Sequence, residues 1–255
     1  MIANYHTHTW RCNHSGGTER DYIETAIRRG VKVLGFSDHC PQLFLKEGYY
    51  STMRMHPEQT EEYVATLSLL RDEYKNDIKI LIGFEAEYYP KLFERLIDFL
   101  RPFNIDYLIL GQHFLDNEYD EIFPPDPALN QRLTHYFDQL IEGISTGEFS
   151  YVAHPDAYGF KGDKAFYELE ARHFCEAAKS AGIPLEINLQ GIYRDRNYPS
   201  KDFFTIAKEV GCDFVFGCDA HNPEEIVEPK TYRKALEFAN SLGLKVLESV
   251  ELKTI

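Results

Sequence analysis

Seven short apolar runs alternate with helix-forming segments along the chain, and this alternation restricts the possible fold more than any other feature. The runs begin at Ile2 and recur at 31–36, 78–84, 105–110, 149–153, 183–189 and 212–216. They are continuously apolar, as expected of strands buried on both faces. Thr18 and Asp21 form a capping box for a helix that stops at Gly30, and Pro57 suits the first turn of a helix with Tyr63, Leu67, Leu70 and Tyr74 on its apolar face. Further helices are expected over 91–100, 129–144, 164–181 and 200–210, with a last one before an apolar tail at 244–250. Repetition of this kind predicts a parallel sheet with right-handed crossovers, and 255 residues suit a single α/β domain spanning 1–255.

The residues that follow the runs favour a closed barrel over an open sheet. His6 and His8 are two apart, so a strand end presents both imidazoles to one spot, and His14 follows on a loop able to fold back over it. His39 ends the second run, Glu85 the third, His113 the fourth and His154 the fifth, while Asp219 and His221 end the seventh. Only a barrel gathers so many strand ends around one mouth. Seven of the ten histidines lie at these ends. One divalent ion takes three or four protein ligands, so nine candidate donors (His6, His8, His14, His39, Glu85, His113, His154, Asp219 and His221) imply two or three ions. Glu85 is the natural bridge between ions, and Asp38 is expected to hold an imidazole in its tautomer. His173 is expected at a core or boundary position, with His135 on a polar helix face and His56 in a loop.

Composition removes several classes of function. Lys and Arg number 27 against 41 Asp and Glu, a net charge of −14 that opposes binding to nucleic-acid backbones. The five cysteines form no Cys-x-x-Cys pair, which fits a reducing compartment and metals held by nitrogen and oxygen. No apolar run is long enough to span a membrane, and a strand starting at residue 2 leaves no room for a signal peptide, so a cytoplasmic protein is expected. The sequence carries no signal for an oligomeric state.

The segments His6-Thr7-His8, Ser37-Asp38-His39, Gly83-Phe84-Glu85, Gly111-Gln112-His113, His154-Pro155-Asp156 and Asp219-Ala220-His221 together resemble the motifs of the PHP (polymerase and histidinol phosphatase) superfamily. Ser37 to Pro41, Glu85 to Pro90, and Glu186-Ile187-Asn188 followed by Gly191 are most similar to its monofunctional histidinol-phosphate phosphatases. The resemblance implies a distorted (β/α)7 barrel with a trinuclear site. By analogy, His6, His8, Glu85 and Asp219 would hold one ion, Glu85, His113 and His154 a second, and His14, His39 and His221 a third. The carboxylates implied in catalysis are Glu85, Asp219 and Asp38.

The resemblance implies a small phosphorylated metabolite, L-histidinol phosphate, as substrate, and the clustered donors suit its hydrolysis by in-line attack on phosphorus without a phosphoenzyme, using zinc, iron or manganese. Arg194 and Arg196 after the sixth run, with Lys161 after the fifth, are expected to hold the phosphate. Glu87, Tyr49 and Tyr50 are candidates for the leaving group's amine and imidazole. Competing readings are a phosphoesterase for a phosphotyrosine protein, nucleotide or sugar phosphate, an amidohydrolase-like metal hydrolase, or a metal-binding module without turnover. Against the amidohydrolase, no lysine ends the fourth run to bridge ions.

Overall fold

The computed structural model describes residues 1–119 and 128–255, so the expected loop with Pro124, Pro125 and Pro127 lies outside the described residues. Seven strands, β1 (Ala3–Asn4), β2 (Val33–His39), β3 (Lys79–Ala86), β4 (Tyr107–Leu110), β5 (Phe149–Val152), β6 (Leu185–Asn188) and β7 (Phe214–Gly217), lie in sequential order and pair in parallel. The barrel closes by a single bridge beyond the first and last strands, Thr7 to Ala220, where His8 N–H donates to the Ala220 carbonyl at 3.0 Å. That closure sets His6 and His8 beside Asp219 and His221. The β2–β3 register ends on the pair His39 and Glu85, so two further candidate ligands are neighbours by backbone pairing.

Helices α1 (Glu19–Arg28), α2 (Thr60–Glu73), α3 (Phe93–Leu100), α4 (Asn130–Ser145), α5 (Lys164–Ser180), α7 (Lys201–Val210) and α8 (Pro229–Leu242) cover the outside, while the short α6 (Leu189–Tyr193) follows β6 at the rim. α1 opens on the expected capping box, with Thr18 and Asp21 satisfying each other's backbone donors. The helix-facing core draws Phe36, Ile82, Leu110, Val152 and Ile187 from the strands. Inside the barrel a smaller core packs Tyr5 edge-on against Tyr107 and Tyr151. Tyr107 Oη donates to the Tyr5 carbonyl at 2.6 Å, which spares the burial penalty of an unpaired hydroxyl. The C-terminal tail pairs with β7 (Leu247 N–H to the Phe214 carbonyl, 2.7 Å) and seals the end opposite the candidate ligands with Val250.

Local expectations fail in four places. The first strand is only two residues long, because closure replaces strand pairing from Thr7 onward. β2 and β3 extend past the apolar runs at 31–36 and 78–84, to His39 and Ala86. The polar segment after β6 starts as a helical turn, α6, because Asn188 caps it by accepting from Gly191 N–H at 3.0 Å. Leu129 and His173 are exposed rather than packed, since the stripe joining His173 to Leu169 faces outward on α5.

Candidate metal centre

All nine candidate donors converge on the rim at the C-terminal ends of the strands, with Glu85 at the centre. Its Oε1 lies 2.7 Å from His154 Nε2, 3.5 Å from His6 Nε2 and 3.6 Å from His113 Nε2. Its Oε2 lies 2.9 Å from His39 Nδ1 and 3.6 Å from His8 Nε2. Asp219 Oδ1 is 3.0 Å from His8 Nε2 and 3.6 Å from His6 Nε2. His221 stacks on His8 with ring centroids 4.0 Å apart, and its Nε2 is 3.1 Å from His14 Nε2.

Small residues make room for the carboxylates. A Cβ on Gly111 would sit 2.0 Å from Glu85 Oε1, and one on Gly217 would sit 1.7 Å from Glu186 Oε1. Two of the candidate donors adopt backbone conformations that side chains avoid, His154 at φ 29° and Asp219 at φ 51°. Each such conformation costs about 1–3 kcal/mol, a cost typical of functional sites.

A surrounding set of polar groups fixes the imidazoles. His6 Nδ1–H donates to Glu186 Oε1 at 2.8 Å, which leaves Nε2 with its lone pair towards the centre. His8 Nδ1 faces Asp38 Oδ1 at 3.5 Å, so Asp38 serves His8 rather than the adjacent His39. Asp38 is itself fixed by the Thr9 hydroxyl and by His39 N–H at 2.8 Å. Glu87 Oε1 lies 3.3 Å from His113 Nδ1, and Arg54 lies between Glu87 and Glu118 at 2.6 Å from each. Asn188 donates to Glu186 at 2.8 Å and to Asp219 at 3.1 Å, tying β6 to β7.

The donor set fits cations. Among the described residues His6 Nε2, His8 Nε2 and Glu85 Oε2 are buried without a hydrogen-bond partner, a cost of about 1–3 kcal/mol each unless a cation meets their lone pairs. Electrostatics point the same way. Burial opposes charge on Glu85, yet His113, His39 and His6 hold its carboxyl well below the usual range. Burial likewise opposes charge on Asp219, but His6 and His8 keep it low. Burial opposes a proton on His6, yet Glu186, Asp219 and Glu85 push it up to about 10, so positive charge at Nε2, from a proton or from a cation that displaces it, is favoured. Burial, with the charge on His8, pushes His221 down to about 3. The carboxylates are ionised and draw positive charge to the centre.

Above the centre opens a cavity of about 670 Å³. His14, His39, His113, His154, Asp219 and His221 form its floor, and the expected phosphate contacts Lys161, Arg194 and Arg196 line its wall. Arg194 is ion-paired with Glu225 at 2.6 Å, whereas Arg196 donates to the Tyr198 hydroxyl at 3.1 Å. Met53, Arg54, Phe114, Tyr136 and Tyr158 line the rest. The segment that carries Tyr49 and Tyr50 reaches this cavity through Met53 and Arg54. Tyr50 points outward and stacks on His56, Tyr49 donates to Glu118 at 2.6 Å, and Glu87 lies behind His113.

Sequence reasoning gave no role to Arg54 or Cys12 and cited Glu186 and Asn188 only as a motif. For the last two a signal was available: in Leu-Glu-Ile-Asn the polar positions alternate, so both face the barrel interior.

Residues 4–190 match the model of the PHP domain. A probable histidinol-phosphatase of Deinococcus radiodurans is 30% identical over 241 residues, covering 88% of each chain. One of Schizosaccharomyces pombe is 26% identical, covering 98% of this chain and 90% of its own. Histidinol phosphate phosphatase from Lactococcus lactis, solved with zinc, L-histidinol and phosphate, shares the fold at a TM-score of 0.74 and 19% identity, over 98% of this chain and 97% of its own.

Proposed function

The chain belongs to the PHP domain family, and on that premise we propose that it is a metal-dependent phosphomonoesterase that hydrolyses L-histidinol phosphate to L-histidinol and phosphate. The observation that carries this reading is the convergence on Glu85 of five imidazoles, within 3.6 Å of its two oxygens, on the floor of a cavity with a cationic wall. In this reading His6, His8, Glu85 and Asp219 hold one ion, Glu85, His113 and His154 a second, and His14, His39 and His221 a third, with zinc, iron or manganese as the metal. When bound, the ions supply Lewis acidity that activates water as the nucleophile and neutralises the phosphoryl oxygens.

The protein's own residues do the rest. Glu186, Asp38 and Glu87 hold the imidazoles of His6, His8 and His113 in orientation. Arg196 and Lys161 meet the phosphoryl oxygens from the cavity wall, and Arg194, whose charge is shared with Glu225, contributes less. Phe114, Tyr136 and Tyr158 offer apolar surface to the leaving group, a small molecule rather than a protein face. The reaction belongs to histidine biosynthesis in the cytoplasm.

The test is a comparison of kcat/KM for L-histidinol phosphate, a phosphotyrosine peptide, a nucleoside monophosphate and a sugar phosphate, using metal-reconstituted protein. The expected result is a preference of about 10²-fold or more for histidinol phosphate, the scale a pocket with placed polar contacts provides. A higher value on another monoester would replace the substrate, and inactivity on all of them would remove the enzymatic reading.

A further inference from the structure

We propose that Cys12 is a sulfur donor to the ion held by His14 and His221, which makes that position chemically unlike the other two. The inference rests on the metal reading of the centre and goes beyond its nitrogen and oxygen donors. Three observations carry it.

First, the chain places the thiol there by local geometry. Trp10–Cys12 is a single helical turn capped by Thr9, and Asn13 follows in the left-handed region at φ 69°. The reversal brings Cys12 and His14 to the same side although they are only two residues apart. Cys12 is fully buried. One donor atom each of Cys12, His14 and His221 all lie within 4.8 Å of one another.

Second, the imidazole partners are arranged for a shared cation. His14 Nδ1–H donates to the Cys12 carbonyl at 2.7 Å, which fixes its tautomer and turns Nε2 to His221 Nε2 at 3.1 Å. Two ring nitrogens at that distance either form one N–H···N hydrogen bond or meet a common cation, and zinc with two nitrogens at about 2.0–2.1 Å fits between them.

Third, a buried group beside the sulfur has only a distant partner. Cys12, His8 and Asp38 form a second close group of donors, in which buried His8 Nδ1 lies 3.5 Å from Asp38 Oδ1 and makes no hydrogen bond among the described residues. A thiolate there would accept from that N–H, as it can from the Ser15 hydroxyl, 3.1 Å from Sγ. The same sulfur then stabilises the ion on one side and orients His8 on the other.

A soft donor changes selectivity. Nitrogen and oxygen alone suit manganese as well as zinc, whereas an added thiolate favours zinc or iron over manganese. The position beside Cys12 is therefore the one to retain zinc when manganese is supplied in excess.

The test uses the intact protein loaded with cobalt or zinc. Cobalt loading should produce a thiolate charge-transfer band in the near ultraviolet, absent from Cys12→Ser and retained by Cys212→Ser, whose thiol lies at the opposite end of β7. X-ray absorption at the zinc edge of the wild type should show a sulfur shell at about 2.3 Å beside nitrogen and oxygen at about 2.0–2.1 Å. This measurement decides the question even if Cys12→Ser does not fold. Where the variant folds, zinc affinity at one position should fall by about tenfold or more, with manganese affinity little changed. Zinc bound with only nitrogen and oxygen neighbours, or an unchanged cobalt spectrum in Cys12→Ser, would overturn the sulfur assignment and leave the metal centre standing. Failure to take up either ion would overturn the metal reading itself.

Discussion

His154 Nε2 lies 2.7 Å from Glu85 Oε1, a contact between the ends of β5 and β3 that makes Glu85 the junction of the rim. The other carboxylate oxygen lies 2.9 Å from His39 Nδ1 but has no hydrogen-bond partner among the described residues, which leaves its lone pairs for a cation. Glu85→Gln keeps the shape and removes the charge. Metal content should fall and kcat should drop by about 10³-fold or more, because a neutral amide cannot bridge cations. Metal analysis and steady-state phosphate release on the same sample check this; a metal-replete, active variant would contradict it.

Gly111 is required by its neighbour rather than by its own backbone. A methyl group there would displace Glu85 Oε1, which approaches to 2.0 Å of the position a Cβ would take. Gly111→Ala should cost about 1–3 kcal/mol of stability by overpacking and should reduce activity out of proportion to that loss. Thermal melting alongside kcat at a permissive temperature separates the two effects. Unchanged kcat in the folded variant would show that Glu85 tolerates displacement.

Glu186 acts through His6, to which it is bonded at 2.8 Å. Glu186→Gln can still accept from Nδ1–H but removes the charge that makes the imidazole more basic. Metal affinity should fall by about 10–100-fold, the usual cost of losing such a partner, with the fold intact. Competition with a chelator of known affinity measures this, and equal affinity in the two proteins would assign Glu186 a packing role only.

Asp156 gives a pH dependence of stability. Its Oδ2 accepts from Ser200 N–H at 2.6 Å, while Oδ1 is buried with no hydrogen-bond partner among the described residues. Burial pushes its carboxyl up to about 7, against an ordinary value of 3.8. The folded chain therefore keeps this proton longer than the unfolded chain, and the group's contribution to stability falls as pH rises from about 4 through about 7. Asp156→Asn keeps an acceptor for Ser200 and removes the charge. Its stability relative to the wild type should rise across that interval by on the order of a few kcal/mol and level off above it. Thermal melts across the range test the sign, and a pH-independent difference would contradict it.

Much of the architecture was legible because strand-helix alternation and apolar continuity are properties of the chain itself. The histidines could be placed at strand ends for the same reason, and the barrel then brought His6 together with Asp219 across more than 200 residues. The sequence was silent where tertiary contacts decide. Arg54 reaches the cavity only because Glu87 and Glu118 draw it inward from an irregular segment. Cys12 looked unremarkable without a second nearby cysteine, and its relation to His221 depends on barrel closure. Tyr49 and Tyr50 suggested an aromatic contact with substrate, but the segment turns them away and presents Met53 instead.

The central claim is that the rim binds divalent cations and needs them to hydrolyse a phosphomonoester. It is tested most directly by titrating metal-free protein with zinc while following both bound metal and phosphate released from L-histidinol phosphate. Two or three ions should bind per chain, with activity rising in step with occupancy and lost again on chelation. Turnover by demonstrably metal-free protein, or full metal occupancy without release of phosphate from any monoester, would contradict the account.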